Sequence, residues 1–316
     1  MNEPVIVLDH LSKSYGNVHA VQDLSVQIGR GTIFGFLGPN GAGKTTTMRM
    51  LCGLTHPTGG RGTIEGADVW NDRQEVRTKF GYVPQRFSLY RDLTVVENFR
   101  FFGGAYGVPG TELDQRIERL LRVIDLEEKR NAAAQSLSGG MRQLLAIGCA
   151  LIHDPRLLFF DEPTAGLDPV HRQQIWNLLY DLSNEGKTIF VTTHYMDEVE
   201  RCTEVGFIEE GRLLAKASPR ALKSSFRSRL LEVDVEPLMP ALVRLRGLPE
   251  LLGVSLRSGG LRLYAPDPER LIASWREEWP FPDLRLLGER WVEPDMEDVF
   301  TAYSQGYHGV LNKPTS

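Results

Sequence analysis

The sequence predicts an α/β protein, a parallel sheet covered by helices on both faces, followed by a small α+β domain. Three observations carry this. Apolar runs of strand length at 32–37, 156–160 and 188–193 alternate with segments of helical periodicity, the pattern of strands buried on both faces. A glycine-rich turn follows the first run directly and leads into a helix. Near residue 225 the pattern changes to shorter strand-like and helix-like pieces after a basic, acid-free stretch.

In chain order, 5–15 and 20–28 are rich in β-branched and apolar residues and are separated by Gly16 and Asn17, so both read as strands. After the turn, Met48, Leu51 and Leu54 keep helical spacing. From 94 to 152 the pattern is mostly helical: Thr94 starts one helix, and Leu113, Ile117, Leu120, Leu121 and Ile124 mark the inner face of another. Helices are predicted over about 169–185 and from Tyr195. Beyond 225, Leu231, Val233 and Val235 alternate with acids as a half-buried strand. Leu238, Ala241, Leu242 and Leu245 mark a helix, 261–264 a strand, Leu271, Ile272, Trp275 and Trp279 a further helix, and 284–287 a last strand. So few strands bury little core by themselves, so this domain is expected to pack on the preceding domain, on its twin across a dimer, or on both, with Trp275, Trp279 and Phe300 as anchors. The domains expected are 1–224, 225–305 and a flexible tail at 306–316.

Bulk properties limit function. The chain has 316 residues, 41% hydrophobic and 24% charged, with no apolar run near the 18 or so residues of a membrane span. Its first residues lack the pattern of a signal peptide. Cys52, Cys149 and Cys202 are scattered and odd in number, which favours a reducing compartment over a disulfide framework. A net charge of −5 argues against nucleic acid as a partner.

Gly38, Pro39, Asn40, Gly41, Ala42, Gly43, Lys44 and Thr45 fit the phosphate-loop pattern G-x-x-x-x-G-K-[ST], with Thr46 following. Glycines let the backbone turn its N–H groups toward phosphate oxygens, and the helix start adds positive potential. Lys44 would reach the β- and γ-phosphates and Thr45 would bind Mg²⁺. The apolar run 157–160 ends in Asp161 and Glu162. Asp161 suits Mg²⁺, and Glu162 suits a general base for the attacking water.

Leu137, Ser138, Gly139, Gly140 and Met141 look like the signature motif of ABC ATPases, and over about 3–220 the chain resembles that family with its motifs in the family's order. Tyr15 matches the aromatic that stacks on adenine, Gln85 the Q-loop glutamine, Ala165 to Asp168 the D-loop, and His194 the switch histidine. The resemblance implies a P-loop NTPase core with an antiparallel β subdomain and a helical subdomain at about 86–152, with ATP and Mg²⁺ as ligands. It implies that Gln85 touches the metal and the attacking water, and that His194 contacts the γ-phosphate and positions Glu162. Ser138, Gly139 and Gly140 would bind the γ-phosphate of a nucleotide held by a second cassette, identical or paralogous, and Asp168 of the D-loop is a further nucleotide-binding candidate. Separate transmembrane permease subunits would place the chain peripherally at the cytoplasmic face of the inner membrane.

The chain departs from the common pattern at Met141, where Gln is usual, at Cys149, where an arginine and its salt bridge are usual, and at Ala165, where Ser is common. Met141-Arg142-Gln143, the run from Thr193 to Glu198 and the late run from Glu293 to Phe300 resemble drug- and lipid-type exporters. An importer ATPase shares the core motifs, and soluble ABC proteins acting on ribosomes are a further alternative, although those resemble two cassettes and this chain has one phosphate loop. Phe87, Leu89 and Tyr90, just after Gln85, are expected to anchor the membrane subunit.

Overall fold

The computed structural model describes residues 4–85, 89–227 and 229–312, which form two compact units, Met1–Lys216 and Ala217–Ser316. The boundary lies before the expected 224/225 because the helix Pro219–Lys223 packs on the helix Met296–Ser304 of the second unit.

In the first unit, a six-stranded sheet runs in the order Arg212–Ala217, Glu204–Glu209, Ile33–Leu37, Thr188–Thr193, Leu157–Asp161, Phe80–Val83. The last five of these are parallel. Phe34, Phe36, Phe159 and Phe190 are fully buried, and the Phe190 ring centroid lies 5.2, 5.5 and 5.8 Å from those of Phe34, Phe36 and Phe159. This aromatic packing fixes the strands that carry the site.

A separate antiparallel sheet has the order Val18–Gly29, Pro4–Tyr15, Gly59–Ile64, Ala67–Asp68. The third of these strands, GGRGTI, has no apolar alternation to announce it. Helices Val95–Ala105, Gly110–Val123 and Gly139–Leu151 form the helical segment. Thr94 opens the first with a full capping box to Glu97. Leu113, Ile117, Leu120 and Leu121 are buried as their spacing requires. The helix after the phosphate loop ends at Leu51, so Leu54, placed by periodicity on that helix, lies beyond it and is half exposed.

The second unit threads strand Leu230–Glu236, helix Leu238–Arg246, strands Gly253–Arg257 and Gly260–Tyr264, helix Pro268–Glu277 and strand Arg285–Val292. The strands are antiparallel, and Leu230–Glu236 pairs between Gly260–Tyr264 and Arg285–Val292. This is the β-α-β-β-α-β arrangement of a split βαβ, or ferredoxin-like, fold. Four strands, one more than expected, give it its own core of Leu231, Val233, Leu242, Leu263, Ile272 and Trp275 among others. Trp279 follows the helix rather than lining it, and its indole N–H donates to the Leu284 carbonyl at 2.8 Å. The flexible tail expected from 306 is corrected up to 312: Val310 and Leu311 are buried, and Leu311 bridges to Phe226. Residues 313–316 lie outside the described residues.

Candidate nucleotide site

The site sits at the carboxyl ends of three adjacent parallel strands, where ligands of open α/β sheets bind. Ile33–Leu37 leads into Gly38, Leu157–Asp161 ends at Asp161 and Glu162, and Thr188–Thr193 leads into His194. Pairing of Leu37 with Thr193 and of Asp161 with Thr192 fixes their register.

Ala20, Asn40, Gly41, Gly43, Lys44, Thr45, Thr46, Gln85 and Glu162 line one pocket. Two loop glycines are required by the surrounding protein. A Cβ on Gly38 would stand 2.2 Å from the Ile208 carbonyl oxygen, and one on Gly43, at φ 106°, 2.4 Å from that of Ala20. Lys44 is buried, and its ammonium donates to the carbonyls of Gly38 and Pro39 at 2.7 and 3.1 Å.

Glu162 is the hub. Its Oε1 lies 3.2 Å from Lys44 Nζ, and its Oε2 accepts from the Gln85 amide at 3.1 Å. His194 Nδ1 lies 3.2 Å from the same Oε2, a contact without the alignment of a hydrogen bond. The Glu162 backbone is left-handed, at φ 49°, and its N–H is held by the carbonyl and hydroxyl oxygens of Thr192 at 3.2 and 3.0 Å. Asp161 accepts from the hydroxyls of Thr45 and Thr192 at 3.1 and 2.7 Å. Burial pushes its carboxyl above the ordinary range, and the two hydroxyls partly offset this.

The other motif residues do not join this pocket. Tyr15 is exposed at its strand end with the Lys13 ammonium 4.9 Å from its ring centroid. Ser138 caps the helix Gly139–Leu151 by accepting from the Met141 N–H at 3.2 Å. Asp168 caps Pro169–Asn184 and lies 2.5 Å from the His171 ring nitrogen. The His171 ring stands where a Cβ on Gly140 would be, 1.9 Å from that position. A Cβ on Gly139 would lie 3.7 Å from Leu167 of the D-loop, so the two motifs are neighbours, and neither lines the pocket of this chain's phosphate loop. Of the expected anchors after Gln85, Phe87 lies outside the described residues. Leu89 is buried, contrary to expectation, while Tyr90 is exposed and packs on Phe101 with ring centroids 4.3 Å apart.

Sequence reasoning missed Ala20 and Thr192. A threonine in an apolar strand reads as a β-former, and nothing local marks its hydroxyl as the partner of Asp161.

Residues 21–165 match the family model described as ABC transporter. The Nod factor export ATP-binding protein I of Ralstonia nicotianae is 41% identical over 304 residues, 94% of this chain and 92% of that protein. The probable multidrug ABC transporter ATP-binding protein YbhF of Escherichia coli is 41% identical over 222 residues, 70% of this chain; the match spans only 38% of YbhF. Among solved structures, the dimeric post-hydrolysis cassette MJ0796 bound to ADP and Pi has a TM-score of 0.62 at 29% identity. That alignment covers 67% of this chain and 98% of that one.

Proposed function

This chain belongs to the family of ABC transporter ATP-binding proteins, and from that membership we propose that it hydrolyses ATP to drive export through separate membrane-spanning subunits. The observation that carries the reading is the clustering of Lys44, Gln85 and His194 within 3.2 Å of the Glu162 carboxylate at the ends of the sheet strands.

ATP is the substrate. The loop amides and Lys44 bind its phosphates, and Tyr15, at the end of its strand, stacks on the adenine. Glu162, flanked by Gln85 and His194, takes the proton of the attacking water. The donor set at Thr45 and Asp161, two hard oxygens 3.1 Å apart, fits Mg²⁺, and Gln85 lines the same pocket as Thr45. When bound, the ion neutralises charge developing on the phosphate oxygens. Ser138, Gly139, Gly140 and Asp168 serve the nucleotide of a second cassette, a reading supported by their standing outside the lining of this chain's own pocket; the relative MJ0796 is itself described as dimeric.

No helix among the described residues is long and apolar enough to cross a membrane; the peripheral position proposed at the cytoplasmic face follows from the proposed pairing with membrane-spanning subunits. The exposed Tyr90–Phe101 pair is the proposed seat of the membrane subunit. The second unit holds none of the motif residues and acts as an accessory domain, setting dimer geometry. The names of the relatives, Nod factor export and multidrug transport, favour export over import.

Glu162→Gln tests the core of this reading. It should bind ATP normally, lower turnover by about two to four orders of magnitude, and accumulate an ATP-dependent dimer on size exclusion. Turnover at the wild-type rate would remove Glu162 as the base.

A further inference from the structure

Beside the site lies a second buried carboxylate. Glu198 is only 1% exposed, as are the two threonines that bond it, Thr164 and Thr193. Its Oε1 accepts from the Thr164 hydroxyl at 2.6 Å and from the Arg172 guanidinium at 3.1 Å, and its Oε2 accepts from the Thr193 hydroxyl at 2.6 Å. Among the described residues Arg172 is its one cationic partner, and the same guanidinium reaches Asp197 and lies 4.3 Å from the Tyr195 ring centroid.

These partners come from three separate segments. Thr164 follows Glu162 by two residues. Thr193 precedes His194, and its hydroxyl also accepts the Tyr195 N–H at 3.0 Å, so the backbone on both sides of His194 is tied to one side chain. Arg172 belongs to the helix that Asp168 opens. An ionised carboxylate is retained in such a place only when donors surround it, and here every donor belongs to a segment that positions a site residue.

We propose that Glu198 is a positioning residue for hydrolysis, which sets His194 against Glu162 by tying the switch-histidine segment to the segment that carries the base. The inference rests on the reading of Glu162 and His194 above. Its carboxylate touches neither the nucleotide pocket nor Glu162, so its effect passes through the Thr193 and Thr164 hydroxyls. Loss of the charge loosens the 3.2 Å contact of His194 with Glu162 while leaving the phosphate loop, on the far side of Glu162, in place.

The test uses the full chain with Glu198→Gln, Glu198→Asp, Thr193→Val and His194→Ala, singly, and Glu198→Gln combined with His194→Ala. Steady-state ATPase rates and binding of a fluorescent ATP analogue are measured. Glu198→Gln should lower kcat by about tenfold or more, with KM and analogue affinity within about two-fold. The combined variant should be no slower than His194→Ala alone, within about two-fold, since both remove the same positioning. Thr193→Val, which deletes one hydroxyl at constant shape, should reproduce part of the kcat loss and keeps the test alive should Glu198→Gln fail to fold. Glu198→Asp should regain part of it. An unchanged kcat, losses that multiply in the combined variant, or affinity falling in step with kcat each overturn the proposal. A Glu162→Gln variant that turns over normally sinks the site reading itself, whereas a dead Glu162→Gln beside a fully active Glu198→Gln sinks this inference alone.

Discussion

Arg262 Nη1 donates to Asp298 Oδ2 at 2.6 Å, and the pair is 9% and 0% exposed, so the helix Met296–Ser304 is held to the second unit's sheet by a buried ion pair. The same guanidinium reaches Glu232 Oε2 at 2.8 Å, while Arg257 and the Tyr264 hydroxyl each reach Asp298 Oδ1 at 2.9 Å. Asp298 also closes a capping box with Asp295 at the start of that helix. The late run from Glu293 to Phe300 thus has a structural task, since its two aspartates receive the arginines of the sheet face opposite the apolar core.

Asp298→Ala leaves Arg257 without its buried partner and removes one of those of Arg262, which should cost about 3 kcal/mol. Replacing the pair together, with Arg262→Met and Asp298→Leu, should recover part of that loss. Denaturant unfolding of the full chain, followed by the tryptophans of the second unit, measures both. Equal loss in single and double variants would show that the pair is not the source.

Ser138→Ala in one cassette of a mixed dimer should slow the nucleotide site formed by the other chain's phosphate loop. The loss is partial, about tenfold, because the helix-start amides of Gly139 and Gly140 remain. Pairing Ser138→Ala with Lys44→Ala on the same or on opposite chains distinguishes the cases. If activity survives only when the two changes sit on the same chain, the signature serves its own loop and the head-to-tail arrangement is wrong.

His153 predicts an acid limb to stability. Burial lowers its pKa to about 4, against the opposing pull of its hydrogen bond to the Phe80 carbonyl, and its ring stacks 3.7 Å from that of Tyr106. Between about pH 4 and the unfolded value of about 6.5 the unfolded chain binds a proton that the native chain refuses. The contribution is therefore complete above about pH 6.5 and is lost as pH falls toward 4, by about 3 kcal/mol at most. His153→Gln, which keeps a donor for the Phe80 carbonyl, should flatten that decline. Denaturant midpoints at pH 7, 6 and 5 that fall equally in both chains would place the acid limb elsewhere.

Much of the first unit is legible in the sequence because its buried strands end at chemistry. The run 157–160 and the carboxylates Asp161 and Glu162 announce each other, as do 32–37 and the loop at Gly38. Less legible is anything without a local signature. The strand Gly59–Ile64 is glycine-rich and the hairpin Glu204–Ala217 follows no motif. The strand Arg285–Val292 runs five residues past its apolar start because its outer residues are charged. In the site, the motif residues stand out, but the hydroxyls that hold them do not: Thr192 is 31 residues from Asp161 and Thr164 is 34 from Glu198. The first pairing arises from strand register and the second from a loop meeting a short helix, and neither is encoded by composition. The ion pairs of Arg262 are as little announced: one is a cross-strand pair with Glu232, 30 positions away, and the other joins the strand to Asp298 on a helix, 36 positions away.

The glycines of the phosphate loop bear on thermodynamics as well as sterics. Gly38 and Gly43 are packed against the Ile208 and Ala20 carbonyls, whereas Gly41, at φ 82°, has open space around its missing Cβ. Strands on either side therefore hold the loop in shape whether or not a phosphate is near. The conformational freedom of those residues is surrendered when the chain folds, so a nucleotide need not bear that entropic loss on binding. Affinity at this site is in that sense a property of the neighbouring strands, and a change at Ile208 or Ala20 that loosens the loop would weaken nucleotide binding without touching the nucleotide.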